Sequence, residues 1–220
     1  MDAGTPRGGS RGIPGKNLVP LAGRPLLAWT CEQALASERL TRVAVSTDSD
    51  EIARTARELG VAVIERPPAL AADDAPMLPV VAHALDETQA DAVVLLQPTS
   101  PLRRTADIDA AFDLWRSTGA DSVVSVVRVP HRFVPGSQLR RDSDGRLAPY
   151  DGQGATSSRQ EKPELYARNG PAVLVVSAAV VRGGSLYGAH SRGYEMSELD
   201  SIDIDEPADL ELAELVLSRR

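Results

Sequence analysis

The chain has 220 residues, enough for one large core and at the upper edge of an ordinary single domain. Its 24 Lys and Arg stand against 31 Asp and Glu, a net charge of −7, which argues against a dedicated nucleic-acid binder but leaves room for anionic small ligands held by a few placed cations. A single cysteine, Cys31, excludes an internal disulfide and a cysteine-rich zinc site; no apolar run approaches a membrane span and no signal-peptide pattern opens the chain, so a soluble cytoplasmic protein is the expectation.

Residues 1–21 carry glycines and prolines too closely spaced for regular structure. A helical pattern over 26–36 leads to a strand over 43–46, a helix over 50–59 stopped by Gly60, and a strand over 61–65. A helix over 78–87, a strand over 92–96, a helix over 107–117 and a strand over 122–127 continue the alternation. A further strand spans 172–177 and a last helix 208–217. The strand candidates are almost continuously apolar, as strands covered on both faces are. Such alternation predicts an α/β fold, a three-layer α/β/α sandwich around a mostly parallel sheet. Residues 130–168 interrupt it, polar and too long for an ordinary connection, so they are expected to be functional or to hold strands of their own.

The most informative stretch is Arg7-Gly8-Gly9-Ser10-Arg11-Gly12-Ile13-Pro14-Gly15-Lys16-Asn17. Its glycines let the backbone turn tightly and converge N–H groups on one point, and its cations suit a polyphosphate. It fits neither a dinucleotide fingerprint nor a Walker loop. Asp203 and Asp205 are spaced i, i+2, so on a strand they point the same way and form a hard-oxygen pair suited to Mg²⁺; acids leading into a helix are the plainer reading. Gln97 follows a strand end, where ligands bind in open α/β sheets, or it caps a loop held by Pro98 and Pro101. No Ser–His or Cys–His constellation suggests a covalent nucleophile, and Trp29, Trp115 and Cys31 read as core.

The loop at 7–17 resembles the signature of the acylneuraminate cytidylyltransferase family, with Arg11 where lysine is usual. The strings Ser46-Thr47-Asp48-Ser49-Asp50-Glu51-Ile52-Ala53 and Leu96-Gln97-Pro98-Thr99-Ser100-Pro101-Leu102-Arg103 are similar to its second and third blocks. Ser158-Arg159-Gln160 with Tyr166 and Asn169-Gly170 resembles its sugar-site block, and residues 202–210 its metal block. The resemblance implies a Rossmann-like nucleotidyltransferase over 1–220 that transfers CMP from CTP to the anomeric hydroxyl of an acidic, sialic-acid-like sugar and releases pyrophosphate. It implies catalytic roles for Arg7, Lys16, Asp203 and Asp205, with both aspartates holding Mg²⁺. Nucleotide contacts fall to Arg7, Gly8, Gly9, Ser10, Gly12, Lys16, Asn17 and Arg66, and sugar contacts to Gln97, Arg159, Gln160 and Asn169. Residues 130–168 then form a dimerisation arm of a homodimer that binds neither nucleic acid nor membrane. The family begins with a buried strand before the loop; here Met1–Pro6 is too short and polar for one, so the expectation is a truncated chain or a segment that compensates. Acceptors such as deoxyoctulosonate, another nucleotide base, and a catalytically idle nucleotide- or sugar-binding homologue are the alternatives.

Overall fold

A computed structural model describes residues 12–72, 75–150 and 163–220. After a short 3₁₀ turn at Lys16–Leu18, a small antiparallel pair, β1 (Pro20–Leu21) and β2 (Arg24–Pro25), leads into α1 (Leu26–Leu35). Then come β3 (Ala44–Thr47), α2 (Asp50–Glu58), β4 (Ala62–Glu65), α3 (Met77–Thr88), β5 (Ala92–Leu95), α4 (Thr105–Thr118) and β6 (Ser122–Arg128). The excursion that follows holds β7 (Leu139–Arg141), β8 (Leu147–Pro149) and β9 (Tyr166–Arg168). The chain closes with β10 (Leu174–Ser177), α5 (Ala178–Arg182), β11 (Ser191–Glu195) and α6 (Pro207–Leu217).

Each predicted helix and strand is present, with ends shifted by a residue or two. Helix ends are set as local chemistry requires: Ser49 caps α2 by accepting the Ile52 N–H, with Asp50 and Glu51 in its first turn. The expectation for 130–168 is met in part by β7, β8 and β9. Neither α5 nor β11 carried a readable pattern; β11 runs Ser-Arg-Gly-Tyr-Glu and is exposed along most of its length, as an edge strand can be.

Strand direction departs from the expectation of a mostly parallel sheet. The main sheet runs β11-β6-β10-β5, with β9 also on β6. β11 is parallel to β6, but β10 is antiparallel to both β5 and β6, and β9 is antiparallel to β6. The architecture is therefore a mixed α/β sheet. An apolar run reports burial on two faces and carries no information on direction; here the excursion after β6 returns the chain from the opposite end. β3 and β4 form a separate parallel pair.

β10 divides two cores by its pleat. Leu174 and Val176 enter one cluster with Val81, Leu85 and Val181, while Val173 and Val175 join another with Ala34, Ile108 and Ala111. Fixed between the second cluster and the loop after β5 is Arg103, fully buried. Its guanidinium donates to the carbonyls of Ala172 at 2.6 Å and Gln97 at 3.3 Å and to Thr30 Oγ1 at 2.7 Å. Burial pushes this group down to about 10, opposed by the field of Asp107, so it stays charged at neutral pH. Replacing it removes the guanidinium donors from the Ala172 carbonyl and Thr30 Oγ1, while the Gln97 carbonyl keeps Thr30 and the Ser100 N–H. Arg103→Met is expected to cost about 3 kcal/mol, read as a lowered urea midpoint; an unchanged midpoint would show that the three bonds contribute nothing net.

Candidate active site

The loop turn is built by Gly15, which stands at φ 61° in the left-handed region and lets the chain enter the 3₁₀ turn at Lys16. Ile13 is buried beside Leu21, Leu102 and Ile204, which anchors this end of the loop to the core. Lys16 projects its ammonium to Asp205 Oδ1 at 2.9 Å; its own side chain is 18% exposed and that of Asp205 is 74% exposed. An ion pair with one partner so open adds little stability. It does show that the loop and the acidic segment at 203–205 meet.

That segment belongs to no strand, a correction to the strand on which the paired-carboxylate reading placed it. Alternation still separates its side chains: Ile204 is fully buried, and its neighbours Asp203 and Asp205 both feel the Lys16 charge or bond it. Ile204 N–H donates to the Thr99 carbonyl at 2.7 Å, and Ser100 Oγ donates to Asp203 Oδ1 at 3.4 Å. The segment is thus strapped to the loop that follows β5. Asp209 closes the first turn of α6, accepting the N–H groups of Asp205 at 2.9 Å and Glu206 at 2.7 Å, so it is a helix cap.

Burial raises the Asp203 carboxyl above the ordinary carboxylate range; bonds from Thr99 and Ser100 and the charge of Lys16 oppose the shift, and the charge of Asp205 adds to it. Two carboxylates of unequal burial with hydroxyls beside them form a hard-oxygen donor set. Among the described residues no group of three or more acidic, His or Cys side chains is placed to hold a metal.

Gln97 lies at the same edge. Its carbonyl receives Arg103 and Thr30, which leaves the side-chain amide to face Gly170. At Gly170, φ is +119°, and a Cβ there would lie 3.1 Å from Ser100 Oγ and 3.3 Å from Gln97 Oε1. Only glycine lets this turn approach so closely. Asn169, expected to touch sugar, is 6% exposed, and its amide is spent inside the protein. It accepts from Ser125 Oγ at 2.6 Å and donates to Ser201 Oγ at 2.8 Å and to Met196 Sδ. The structure therefore gives Asn169 the work of holding the Gly170 turn.

The expected base-side residues are enclosed. Asn17 is 5% exposed, and Arg66 is 8% exposed with its guanidinium folded onto Ser46, reaching the carbonyl at 2.7 Å. Gly12 is half-buried. Arg7, Gly8, Gly9, Ser10, Arg159 and Gln160 lie outside the described residues. Thr99, Ser100, Arg103 and Gly170 were not singled out from sequence as site residues; the first three stand in the Gln97 string itself, and only their fold contacts reveal what they hold.

A family model for cytidylyltransferases matches residues 6–218. The chain belongs to the cytidylyltransferase family. It is 35% identical over 219 residues to the CMP-N,N'-diacetyllegionaminic acid synthase of Legionella pneumophila, covering 96% of this chain and 93% of that one. It is 34% identical over 209 residues to the N-acylneuraminate cytidylyltransferase of Escherichia coli O18:K1:H7, covering 94% of this chain and 49% of that one. The chain thus spans about half the length of the E. coli relative. A solved structure of CMP:2-keto-3-deoxy-manno-octonic acid synthetase complexed with CTP superposes with a TM-score of 0.73 at 16% identity, over 96% of this chain and 95% of that one, a likeness of fold.

The Asp203 shift makes a pH prediction for this cytidylyltransferase. A carboxyl raised in the folded state binds more protons folded than unfolded, so its contribution to stability is full at low pH and declines as pH rises through the raised value. Asp203→Asn is expected to flatten that decline and raise the Tm of the ligand-free protein at neutral pH. Thermal melts of both proteins across acidic to neutral pH check it, and parallel curves would sink the assignment.

Proposed function

We propose that the protein transfers CMP from CTP to the anomeric hydroxyl of an acidic, sialic-acid-like sugar and releases pyrophosphate. The observation that carries this reading is the meeting of Lys16, Asp203 and Asp205 beyond the end of β5, beside Gln97 and the Gly170 turn. The names of the similar proteins from Legionella and E. coli, both CMP-sugar-forming, point to the same chemistry. The reading includes a single nucleotidyltransferase domain over 1–220, a three-layer α/β/α Rossmann-like architecture and a cytoplasmic location. Clusters on both faces of β10 support the layering, and among the described residues no helix is long and apolar enough to cross a membrane.

In the proposed reaction the sugar oxygen forms a bond to the α-phosphorus of CTP, the bond from that phosphorus to the bridging oxygen breaks, and the hydroxyl proton is lost. Such transfers depend on positioning and charge stabilisation, so no covalent nucleophile is required. Lys16 meets the departing phosphates together with Arg7, and the glycines and Ser10 of the loop supply backbone N–H groups to the same oxygens. Asn17 and Arg66 bound the base; Gln97, Arg159 and Gln160 bound the sugar, with Asn169 positioning the turn. Mg²⁺ is the cation this donor set would suit, held by Asp203, Asp205 and triphosphate oxygens, where it would neutralise the charge developing on the leaving group.

The homodimer rests on a surface observation. Among the described residues, the large apolar side chains that stand exposed include Phe133, Leu139, Leu147, Tyr150 and Tyr166, all within 130–168. Apolar exposure concentrated on one excursion marks a contact surface. We take that excursion as the protruding dimerisation arm. Sedimentation at micromolar concentration is expected to give a dimer and Leu147→Asp a larger monomer fraction; a monomeric parent chain would remove the arm from the account.

Pyrophosphate release from CTP and Mg²⁺ with a panel of acidic sugars (N-acetylneuraminate, legionaminate, pseudaminate and deoxyoctulosonate) tests the function itself. One sugar is expected to support release. Lys16→Ala and Asp203→Ala are each expected to lower turnover on the order of 10²-fold or more with the fold intact by circular dichroism. Binding of CTP without release in the presence of every sugar would favour a binding homologue.

A further inference from the structure

The stretches 97–104 and 197–205 meet at the site. There Ile204 N–H reaches the Thr99 carbonyl at 2.7 Å, the Thr99 side chain bonds Asp203, and Ser100 Oγ reaches Asp203 Oδ1 at 3.4 Å. Residues 201–206 belong to no strand, so no ladder sets their register. The cap of α6 fixes their downstream end through Asp209. The upstream end is fastened by Asp200, a buried residue three positions ahead of Asp203. Its Oδ1 accepts from Arg104 Nε at 3.3 Å and from the Arg220 guanidinium, and its Oδ2 accepts from Ser197 Oγ at 2.9 Å. Arg220 also donates to the Leu102 carbonyl at 3.0 Å. One carboxylate, set apart from Asp203 and Asp205, thus ties the two stretches together a second time.

We propose that Asp200 is a positioning residue which, through Arg104 and Arg220, sets where Asp203 presents its carboxylate to a cation, an inference that rests on the cation site of the proposed function. Carboxylates that ligate a cation tolerate little displacement, so the groups that orient them matter nearly as much as the ligands. Both arginines grip the 97–104 stretch, Arg104 as its last residue and Arg220 through Leu102. A carboxylate bonded to both is therefore confined relative to Thr99 and Ser100, which hold Asp203. Main chain and side chain of Asp200 move as one, because Ser197 Oγ accepts its N–H at 3.1 Å while donating to its carboxylate. Ser201, the next residue, accepts from Asn169, which joins this turn to the Gly170 side of the site. Arg104 and Arg220 are both exposed, so water can take over their charges when the carboxylate charge is lost. The fold then survives the change, and the place of Asp203 is what suffers.

The test compares Asp200→Asn, which keeps the shape and one acceptor oxygen but removes the charge, with Arg104→Gln and the double variant. Mn²⁺ is the probe, titrated by water proton relaxation in the presence of CTP and without sugar, so no turnover is needed. Asp200→Asn is expected to weaken Mn²⁺ uptake about 10-fold or more. It is also expected to quicken amide exchange at Ile204, with CTP affinity in the absence of metal and circular dichroism unchanged. The double variant is expected to match Asp200→Asn, since both changes break one ion pair. Parent-like Mn²⁺ uptake or parent-like Ile204 exchange in Asp200→Asn overturns the proposal, as do additive losses in the double variant. An equal loss of CTP affinity without metal overturns it too, because the whole site would then have loosened. A parent chain that takes up no Mn²⁺ with CTP removes the proposed function and this inference together, a result distinct from a binding parent beside an indifferent variant.

Discussion

One buried guanidinium holds the site's framework in register. Among the described residues Arg103 has no carboxylate in contact; its bonding partners there are two backbone carbonyls and a hydroxyl, one from the loop after β5, one just ahead of β10 and one from α1. A charge removed from water without a counter-ion in contact is tolerated only where several dipoles replace its hydration. Each dipole must then stay where it is. Gln97 is held by its main chain, which frees its side chain to face the Gly170 turn, and Thr99 and Ser100 follow two and three residues later. The acidic segment inherits its place from them through Ile204 and Asp203. A single interior constraint therefore sets positions on three separate stretches of chain.

Against that rigid frame, the charged groups at the edge are arranged with little regard for stability. Asp203 is penalised by its own burial, while the largely exposed carboxylate of Asp205 is paired with Lys16. Elsewhere the protein satisfies its acids well: Asp121 accepts the N–H groups of Ala189 and His190 and is held below the ordinary range, and Arg39 holds Asp113 low in the same sense. In the proposed function, the raised carboxyl beside a lysine is the place where the triphosphate and its cation would sit.

Much of this was legible in the residues. The apolar runs and helix-end chemistry located the main strands and helices, because burial and capping are local properties written at fixed spacing. The direction of β10 was not, since Leu174–Ser177 reads the same in either orientation and the turn that reverses it draws on residues far away in the chain. β11 escaped because an exposed edge strand needs no apolar alternation. At the site, Lys16, Asp203, Asp205 and Gln97 were each marked by residue type and position, and the fold brings them to one edge. Asn169 was marked as a ligand contact by the family resemblance, and an amide can serve either purpose; which one it serves depends on whether Ser125, Ser201 and Met196 reach it, and those partners lie 27 to 44 residues away. Arg103 was invisible for the same reason, an arginine in a loop string being ordinarily solvated.

The lone thiol gives this architecture an internal clock. Cys31 lies fully buried in a cluster with Leu27, Val45 and Ala56, and burial pushes it up to about 11. Thiol reagents attack the thiolate, which is scarce at that value and shielded while α1 is seated. Alkylation can then proceed only during excursions in which the helix lifts from β3, so its rate counts those excursions. Because Thr30, the residue before, is one of the three anchors of Arg103, each such event also unfastens the guanidinium, and the labelling rate of one sulfur becomes a record of how often the whole site loosens.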